Sequence, residues 1–368
     1  MAKNQASAVK EPLFRVVKRD VPPKWLPWAA RGGAVLLALI LSAIFIGTTA
    51  KLNPFAAFAT MLEGAFGNSI RIWSTLKSLI KLLCIAIALA PAFKMRFWNI
   101  GAEGQVLIGA LMTAFVMIYC ESLPAPVLFP LMFIAAAVGG AIWGLLPAIF
   151  KARWDTNETL FTLMMNYIAM QLVSFFYNKW KGTASSLGTI NKVSHAGWFP
   201  QIMGQRFFIN IIIVAIFMVT MYFYLSKTKH GYEIAVVGES QNTARYAGIN
   251  VKAVIIRTMA ISGMICGLCG FMTVAGQSQT ISANSAEGFG FTAIIVAWLS
   301  KFNTFVMAGV SLFIIALERG TQLIADRYDS FSDSACDVVI GIMLFCIIGC
   351  EFFINYKLMF KKKEVSAQ

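Results

Sequence analysis

The sequence predicts an all-α polytopic membrane protein with about ten transmembrane helices, and three observations support this prediction. Of the 368 residues, 58% are hydrophobic and 13% are charged, which is more apolar than a single soluble core of this length requires. The apolar residues form runs of about 18 to 22, the helix length that crosses a bilayer. The run at 207–225, "FFINIIIVAIFMVTMYFYL", is apolar on every side, whereas a barrel strand alternates over about ten residues.

The apolar runs predict ten spans, at about 31–50, 78–93, 99–120, 127–149, 159–178, 207–225, 254–276, 288–300, 304–318 and 335–354. We therefore expect one transmembrane domain at 31–354, between an N-terminal tail at 1–30 and a C-terminal tail at 355–368. Five spans per half indicate that repeated halves are inverted relative to each other, a transporter architecture with interrupted helices near the midplane. At the level of individual residues, only the Gly-rich stretches "NIGAEGQ" and "EGFGF" support such a repeat.

The basic residues predict the orientation of the spans. If the N-terminus is cytoplasmic, the inside segments carry roughly twice as many Lys and Arg residues as the outside segments. Both tails and the polar loop at 226–252 are then cytoplasmic, and 179–206 faces outward. The net charge of +14 is not a nucleic-acid signal, because no Lys/Arg stripe interleaved with aromatics is present. We expect a multi-pass protein of the bacterial cytoplasmic (inner) membrane.

No catalytic or metal site is predicted. Nearly all of the seven cysteines fall inside apolar runs, and Cys266 and Cys269 lack the further ligands that a metal ion needs. No G-x-x-x-x-G-K-[ST] loop is present, so this chain is not expected to hydrolyse ATP itself. Gly263 and Gly267 have the small-xxx-small spacing of closely packed helices.

The stretch "RFWNIGAEGQVLIGAL" (96–111) gives the strongest candidates for a substrate pathway, Asn99, Glu103 and Gln105. A Glu inside a span is a functional candidate, because an ionisable group in lipid normally faces a bundle interior or an aqueous cavity. The alternative is that Glu103 pairs with Lys94 or Arg96 and only stabilises the fold.

Helix geometry constrains how these three side chains are placed. Residues 99 and 103 share a helix face, whereas 105 points away. Either the helix is broken at Gly101 or Gly104 and all three side chains face one cavity, or Gln105 bonds a neighbouring helix. We favour the break, because transporters gather substrate groups at interrupted helices.

The span that follows the turn at 151–158 carries a fourth pathway candidate, Asn166. Its amide either contacts substrate or bonds another helix, and the sequence does not favour one over the other. Thr156 or Asn157 is expected to cap this helix, with Glu158 in its first turn.

Two segments lie outside the spans. "NPFAAFATMLEGAF" (53–66) has a capping Asn53 before Pro54, and we expect a helix along the outer membrane surface. In the loop at 226–252, "GESQNTARYAGIN" predicts a two-turn helix that Ser240 or Asn242 caps and Gly248 ends. Such a short helix requires another surface to hold its shape, which indicates a partner subunit.

Four ordered motifs, "FWNIGAEGQ", "NETLFTLMMNYIA", "GESQNTARYAGINV" and "GFGFTAIIVAWLSKFN", resemble the bacterial ABC permeases for branched-chain amino acids, ribose-like sugars and nucleosides. Within that class, they are most similar to the nucleoside (guanosine-type) uptake permeases. Lys301 and Phe302 depart from the family, since their turn is expected to hold Gly, Arg or Asn.

The resemblance implies a permease subunit without a cofactor of its own. It implies a second permease, related or identical, a cytoplasmic ABC ATPase that binds the ATP, and an extracytoplasmic substrate-binding protein. The helix at 239–250 is then the coupling helix that docks on the ATPase, with candidate residues Glu239, Ser240, Asn242, Arg245, Tyr246 and Gly248.

The sequence is also compared with other substrates and with two other classes of membrane protein. The substrate of such a permease is a nucleoside by resemblance, with a sugar or a branched-chain amino acid as alternatives. A stand-alone ion-coupled secondary transporter would not need a partner-docking helix. An intramembrane enzyme would need paired titratable groups or metal ligands, and Glu103 is the only clear acidic residue well inside a run.

Overall fold

The computed structural model describes residues 14–19, 23, 25–49, 51–328 and 331–360. Most of the predicted N-terminal tail and the last eight residues, 361–368, lie outside this range. The described helices are α1 (Leu26–Thr49), α2 (Pro54–Phe66), α3 (Ser69–Lys94), α4 (Ala102–Tyr119), α5 (Ala125–Trp154), α6 (Glu158–Lys181), α7 (Phe208–Lys227), α8 (Lys229–Glu239), α9 (Gln241–Tyr246), α10 (Val251–Met272), α11 (Phe289–Leu299), α12 (Thr304–Arg327) and α13 (Asp333–Asn355). A π-helical turn at Thr273–Ser278 continues α10, and strands β1 (Phe14–Lys18) and β2 (Tyr356–Phe360) pair antiparallel.

The predicted all-α polytopic fold is confirmed, with one change in the span count. Within the described residues, nine helices are long and apolar enough to cross a membrane. The tenth predicted span, 288–300, is wrong as a span, because α11 has only 11 residues. The helix fills the predicted segment, from the residue after Gly288, whose φ is +72°, to Leu299, and this segment is shorter than the roughly 20 residues that cross a bilayer.

A second correction concerns the start of α3. The Asn68 side chain caps this helix by accepting the N–H of Arg71, so α3 begins at Ser69 rather than near 78. The predicted span at 78–93 omitted this first part of the helix, which contains Arg71 and Lys77. Lys81, expected near a span end, is instead the thirteenth of 26 helical residues and is buried.

The contacts divide the chain into two compact units. The first consists of the described residues up to Gly67 and from Ala316 onward. In it α1 packs along α13, and α2 lies so close to α12 that Gly64 has no room for a Cβ against Gly320. Asn53 caps α2 by accepting the N–H of Phe55, so the helix is confirmed, and its position on the outer membrane surface stays a prediction.

The second unit runs from Asn68 to Ile315 and is built around α4, α5 and α10. Glycines allow these three backbones to touch. A Cβ on Gly140 would collide with the Gly263 carbonyl, and one on Gly109 would collide with Gly267. The close packing predicted for Gly263 and Gly267 is therefore confirmed, and Cys266 is buried beside it with a free thiol.

Candidate functional site

The second unit contains two interruptions between helices. The first is the link at 95–101, between α3 and α4, in which residues 97–100 are not helical. Asn99 and Gln105 exchange two hydrogen bonds across it, of 3.2 and 3.4 Å between amide nitrogen and oxygen. Asn99 also donates to Ser262 Oγ in α10 at 3.3 Å and accepts the Gly101 N–H at 3.1 Å. Both side chains are buried.

The favoured helix break is confirmed at Gly101, which is the N-cap of α4. The break does not turn all three candidates to one place, because Asn99 and Gln105 meet while Glu103 points elsewhere. The expectation that 99 and 103 share a helix face is wrong for the same reason, since Asn99 precedes the helix.

Glu103 binds the second interruption, the loop at 279–288 that leads into α11. Its two carboxylate oxygens accept the N–H groups of Gly288, at 2.9 Å, and Gly290, at 2.8 Å. A helix N-terminus has free N–H groups and a partial positive charge, so a carboxylate from α4 caps α11. A Cβ on Gly290 would lie 2.6 Å from the Glu103 backbone nitrogen, so only glycine permits this approach.

The alternative pairing of Glu103 with Lys94 or Arg96 is wrong. Lys94 Nζ donates to the Leu225 carbonyl at 3.1 Å, and Arg96 lies exposed in the link. The Gly-rich stretches "NIGAEGQ" and "EGFGF" are thus in direct contact through Glu103.

Asn166, on α6, bonds the start of α4 with both ends of its amide. Its nitrogen donates to the Ile100 carbonyl at 2.9 Å, and its oxygen accepts the Gly104 N–H at 2.8 Å. For Asn166, the alternatives were a contact with substrate and a hydrogen bond to another helix, and the structure contains the hydrogen bond. Asn157 caps α6 as expected, by accepting the Leu160 N–H, and Glu158 lies in the first turn, 3.0 Å from Lys151.

Charged and polar residues that were not predicted from the sequence join α3 to the second interruption and to the π-helical turn before it. Lys81 Nζ lies 2.7 Å from Glu287 Oε1 and 3.2 Å from the Ser285 carbonyl. One helical turn earlier, the Lys77 carbonyl accepts a hydrogen bond from Gln277. A signal was present, because Lys77 and Lys81 are two lysines one turn apart in a mainly apolar stretch.

The predicted short helix in the polar loop is confirmed as α9. Ser240 caps it by accepting the Thr243 N–H, and Gly248 follows it at a φ of +76°. The candidate side chains of Asn242, Arg245 and Tyr246 are exposed, and the exposed fraction of Tyr246 is 94%.

The helix α8, which was not predicted from the sequence, supports α9. Gly231 packs on the Tyr224 and Leu225 carbonyls of α7, and Gly238 packs on the Lys94 carbonyl at the end of α3. Glu233 bonds Arg257 of α10 at 2.8 Å, and this hydrogen bond lowers the pKa of Glu233. Three spans therefore hold α8 in place.

A cavity of about 410 Å³ lies between the end of α5, α9 and the start of α10. Its charged lining is mainly basic and consists of Lys151, Arg153, Asp155, Arg245 and Lys252. Asp155 is exposed and lies 2.7 Å from Lys151, whose hydrogen bond lowers the pKa of Asp155. In the described part of the chain, no three His, Cys, Asp or Glu residues gather as a metal site.

Residues 71–348 match the family described as branched-chain amino acid transport system / permease component. The chain belongs to this family. It is 31% identical to the guanosine ABC transporter permease protein NupP of Bacillus subtilis, over 90% of this chain and 95% of NupP. It is 27% identical to the nucleoside ABC transporter permease protein NupB of Lactococcus lactis, over 91% and 93%. Identity to the glucose ABC transporter permease protein TsgB13 of Haloferax volcanii is 27%, over 92% of each chain.

No solved structure matches this chain. Membership in the family makes the protein a multi-pass permease component of an ABC transporter. In the second unit, the two interruptions precede α4 and α11.

Proposed function

We propose that this permease forms one half of the translocation pathway of an ATP-driven importer in the cytoplasmic membrane and that its substrate is a nucleoside. The similarity to NupP and NupB over most of both chains supports the nucleoside. The similarity to TsgB13 makes a sugar the second candidate. The chain has no phosphate-binding loop of its own, so the energy comes from ATP hydrolysed by a partner subunit.

The observation that carries this proposal is the connection between α9 and the first interruption. The exposed α9 is joined through Ser240 to α8, and Gly238 of α8 lies against Lys94 and Met95, where the link at 95–101 begins. The same link carries Asn99, which bonds Gln105 and Ser262. A displacement of α9 therefore reaches the interrupted helix through direct contacts between backbone and side chains.

We infer that α9 and the adjoining basic cavity dock on the cytoplasmic ATPase. Tyr246 offers a large exposed aromatic surface, and such residues often dominate binding energy. Arg245 and Lys252 line the cavity beside it, so an acidic group of the ATPase fits there. The other partners in this proposal are a second permease and an extracytoplasmic substrate-binding protein.

For Asn99, Glu103, Gln105 and Asn166, we propose a positioning role in the pathway. Each is buried, and each bonds protein groups at the start of α4 or α11. They set where the two interrupted helices begin, and thereby the shape of the pathway between them. A positioning residue affects transport through the geometry that it holds, not through contact with substrate.

Uptake of radiolabelled guanosine by cells whose only nucleoside importer contains this chain tests the proposal. Replacing both Arg245 and Tyr246 with Ala should lower uptake at least about tenfold at unchanged membrane content, since both side chains are exposed and stabilise no packing. Tyr232→Ala, at an exposed Tyr of α8, is the matched control and should keep uptake within about twofold. Equal losses in both variants, or full uptake in the double variant, would contradict the assignment of α9.

The orientation is tested separately. Single cysteines at Val193, which is 95% exposed, and at Gln241 in α9 are introduced into a cysteine-free chain. An impermeant thiol reagent should label the cysteine at 193 from outside the cell and the one at 241 only in inverted membranes. Labelling of both from outside would contradict cytoplasmic termini and a cytoplasmic α9.

A further inference from the structure

We propose that Glu287, Phe291 and Trp298 form the substrate-contacting face of the pathway and that this face binds a solute with neutral hydroxyl groups and a planar aromatic base. This inference rests on the proposed function, because it specifies which solute chemistry the pathway recognises. Glu287 supplies the acceptor for hydroxyl groups, and the two aromatic rings supply a flat apolar surface.

Glu287 lies at the depth of the middle of a membrane-spanning helix. Its partner Lys81 is the thirteenth residue of α3, and 26 helical residues span about 39 Å. The ion pair therefore lies near the middle of a membrane-spanning helix. Lys81 is almost completely buried, at 3%, but the Glu287 side chain is 44% exposed. A half-exposed carboxylate at this depth is too costly to place in hydrocarbon, so it faces a water-filled pathway.

The hydrogen bonds of this loop define what it accepts. Glu287 uses Oε1 for Lys81, and Oε2 accepts no hydrogen bond from the residues that the structure describes. One turn earlier on α3, the Gln277 amide nitrogen donates to the Lys77 carbonyl and its oxygen is buried, so Glu287 Oε2 is the acceptor that faces the pathway. An exposed acceptor calls for a ligand with hydrogen-bond donors.

The net charge of the Lys81–Glu287 pair and the placement of two aromatic rings further restrict which solutes the site binds. Because Lys81 neutralises Glu287, the site has no excess charge to pair with a charged solute. Phe291 lies in the first turn of α11, and Trp298 lies on the same face two turns later. Both are half exposed, and Trp298 stacks on Trp98 with a centroid distance of 5.5 Å.

These features discriminate among the solutes that this family transports. An aromatic base stacks on such rings, whereas a simple sugar offers hydroxyl groups but no ring of that kind. An amino acid also brings a carboxylate, and Lys81, which is buried and already bonds Glu287 and the Ser285 carbonyl, is not placed to receive it. A nucleoside combines neutral ribose hydroxyl groups with a base, so it satisfies both parts of the face.

The first experiment measures selectivity in cells that contain the complete transporter. The probes are guanosine and 2′,3′-dideoxyguanosine, which lacks the ribose diol. The variant is Glu287→Gln combined with Lys81→Met, because the double change removes the ion pair without leaving a buried charge unpaired. The same binding protein delivers both probes, so its own preference cancels when variant and wild type are compared.

The expected result is that the double variant loses about tenfold of the preference for guanosine over the dideoxy probe, at unchanged membrane content. Unchanged preference, with uptake either normal or equally reduced for both probes, would overturn the role of Glu287. If the wild-type transporter moves neither probe, the nucleoside assignment itself is wrong. That outcome differs from one in which the wild type takes up guanosine and only the variant fails to change selectivity.

The second experiment tests the aromatic part. Phe291→Leu should raise the guanosine concentration for half-maximal uptake about fivefold, because a leucine keeps apolar area but loses ring stacking. Phe223→Leu, at a similarly exposed Phe of α7, is the matched control and should leave that concentration unchanged. Equal shifts in the two variants, or no shift in Phe291→Leu, would overturn the stacking surface.

Discussion

The two interruptions in the second unit use polar residues in opposite ways. At the link at 95–101, three buried amide side chains meet. They bond one another or the free backbone groups of the broken helix, and they belong to Asn99 in the link, Gln105 in α4 and Asn166 in α6. In the loop at 279–288, Glu287 is half exposed and keeps one carboxylate oxygen without a partner among the described residues. Glu103 joins the two by capping α11 from α4.

Polar residues at the two interruptions therefore have different roles. A broken helix exposes N–H and C=O groups that must be satisfied internally, because lipid supplies no hydrogen bonds. At the link at 95–101, buried side-chain amides supply such partners, which makes it a scaffold. The loop at 279–288 keeps an exposed acceptor on Glu287, which is what a transient ligand requires.

The largest effect is expected at the contact between them. Gly290→Ala would place a Cβ 2.6 Å from the Glu103 backbone nitrogen, so α11 has to separate from α4 and both hydrogen bonds to Glu103 are lost. We expect a loss of roughly 3 kcal/mol in stability, measured as a lower midpoint of thermal unfolding of the purified chain in detergent.

Gly288→Ala is the matched control two residues away. A Cβ there has nothing within 4 Å, and the only cost is the left-handed backbone at a φ of +72°. This strain costs about 1 kcal/mol. A midpoint lowered equally by both substitutions would show that backbone strain, not the approach of Glu103, determines the start of α11.

The second effect tests Glu103 itself. Glu103→Gln replaces one carboxylate oxygen with an amide donor, which then faces a Gly288 or Gly290 N–H, so one of two charge-assisted hydrogen bonds is lost. We expect roughly 2 kcal/mol of destabilisation, measured as a lower unfolding midpoint, and less assembled protein. Uptake per assembled transporter should fall less than the amount of assembled protein does. Lys94→Met should not reproduce this effect, because Lys94 bonds Leu225 instead. If Lys94→Met lowered the unfolding midpoint as much as Glu103→Gln, the two residues would be coupled after all.

The sequence predicted the architecture well because hydropathy and capping are local. Run lengths identified the spans, Asn53, Asn157 and Ser240 were correct as caps or cap candidates, and the break at Gly101 followed from flanking glycines. The two errors have different causes. The start of α3 depends on a single cap, Asn68, which a hydropathy window averages out, whereas α11 lies where it was predicted but is too short to cross a bilayer.

The site was less predictable because its bonds join residues far apart in the sequence. Glu103 bonds residues 185 and 187 positions away, and Lys81 bonds Glu287 across 206 positions. Intervals of three or four residues identify neighbours on one helix only. Lys94 and Arg96 were therefore the partners that local spacing offered for Glu103, whereas its real partners are backbone N–H groups, which have no letter in the sequence.

The third effect concerns Asn166, which satisfies the broken end of α4. Asn166→Leu leaves the Gly104 N–H and the Ile100 carbonyl without their partner, and the branched side chain lies against Gly104, where space is small. We expect a loss of about 2 kcal/mol, read as a lower unfolding midpoint. Asn157→Ala, which removes only an exposed cap of the same helix, should cost about 1 kcal/mol. A larger effect at Asn157 would contradict the closed network.

The smallest effect comes from removing one hydroxyl group from each interruption. Thr162 Oγ1, buried in α6, accepts the Ile100 N–H at 3.2 Å in the closed link, and Ser285 Oγ, half buried, accepts the Ser282 N–H at 2.8 Å in the open loop. Thr162→Val preserves shape but removes a buried acceptor, so it should cost about 1 kcal/mol. Ser285→Ala should cost less than about 0.5 kcal/mol, because water replaces the lost partner at a loop open to a pathway. The unfolding midpoints of the two variants, measured side by side, test whether the loop is wet. If Ser285→Ala proved the more costly of the two, the loop at 279–288 would be as closed as the link at 95–101, and the contrast between scaffold and open site would be lost.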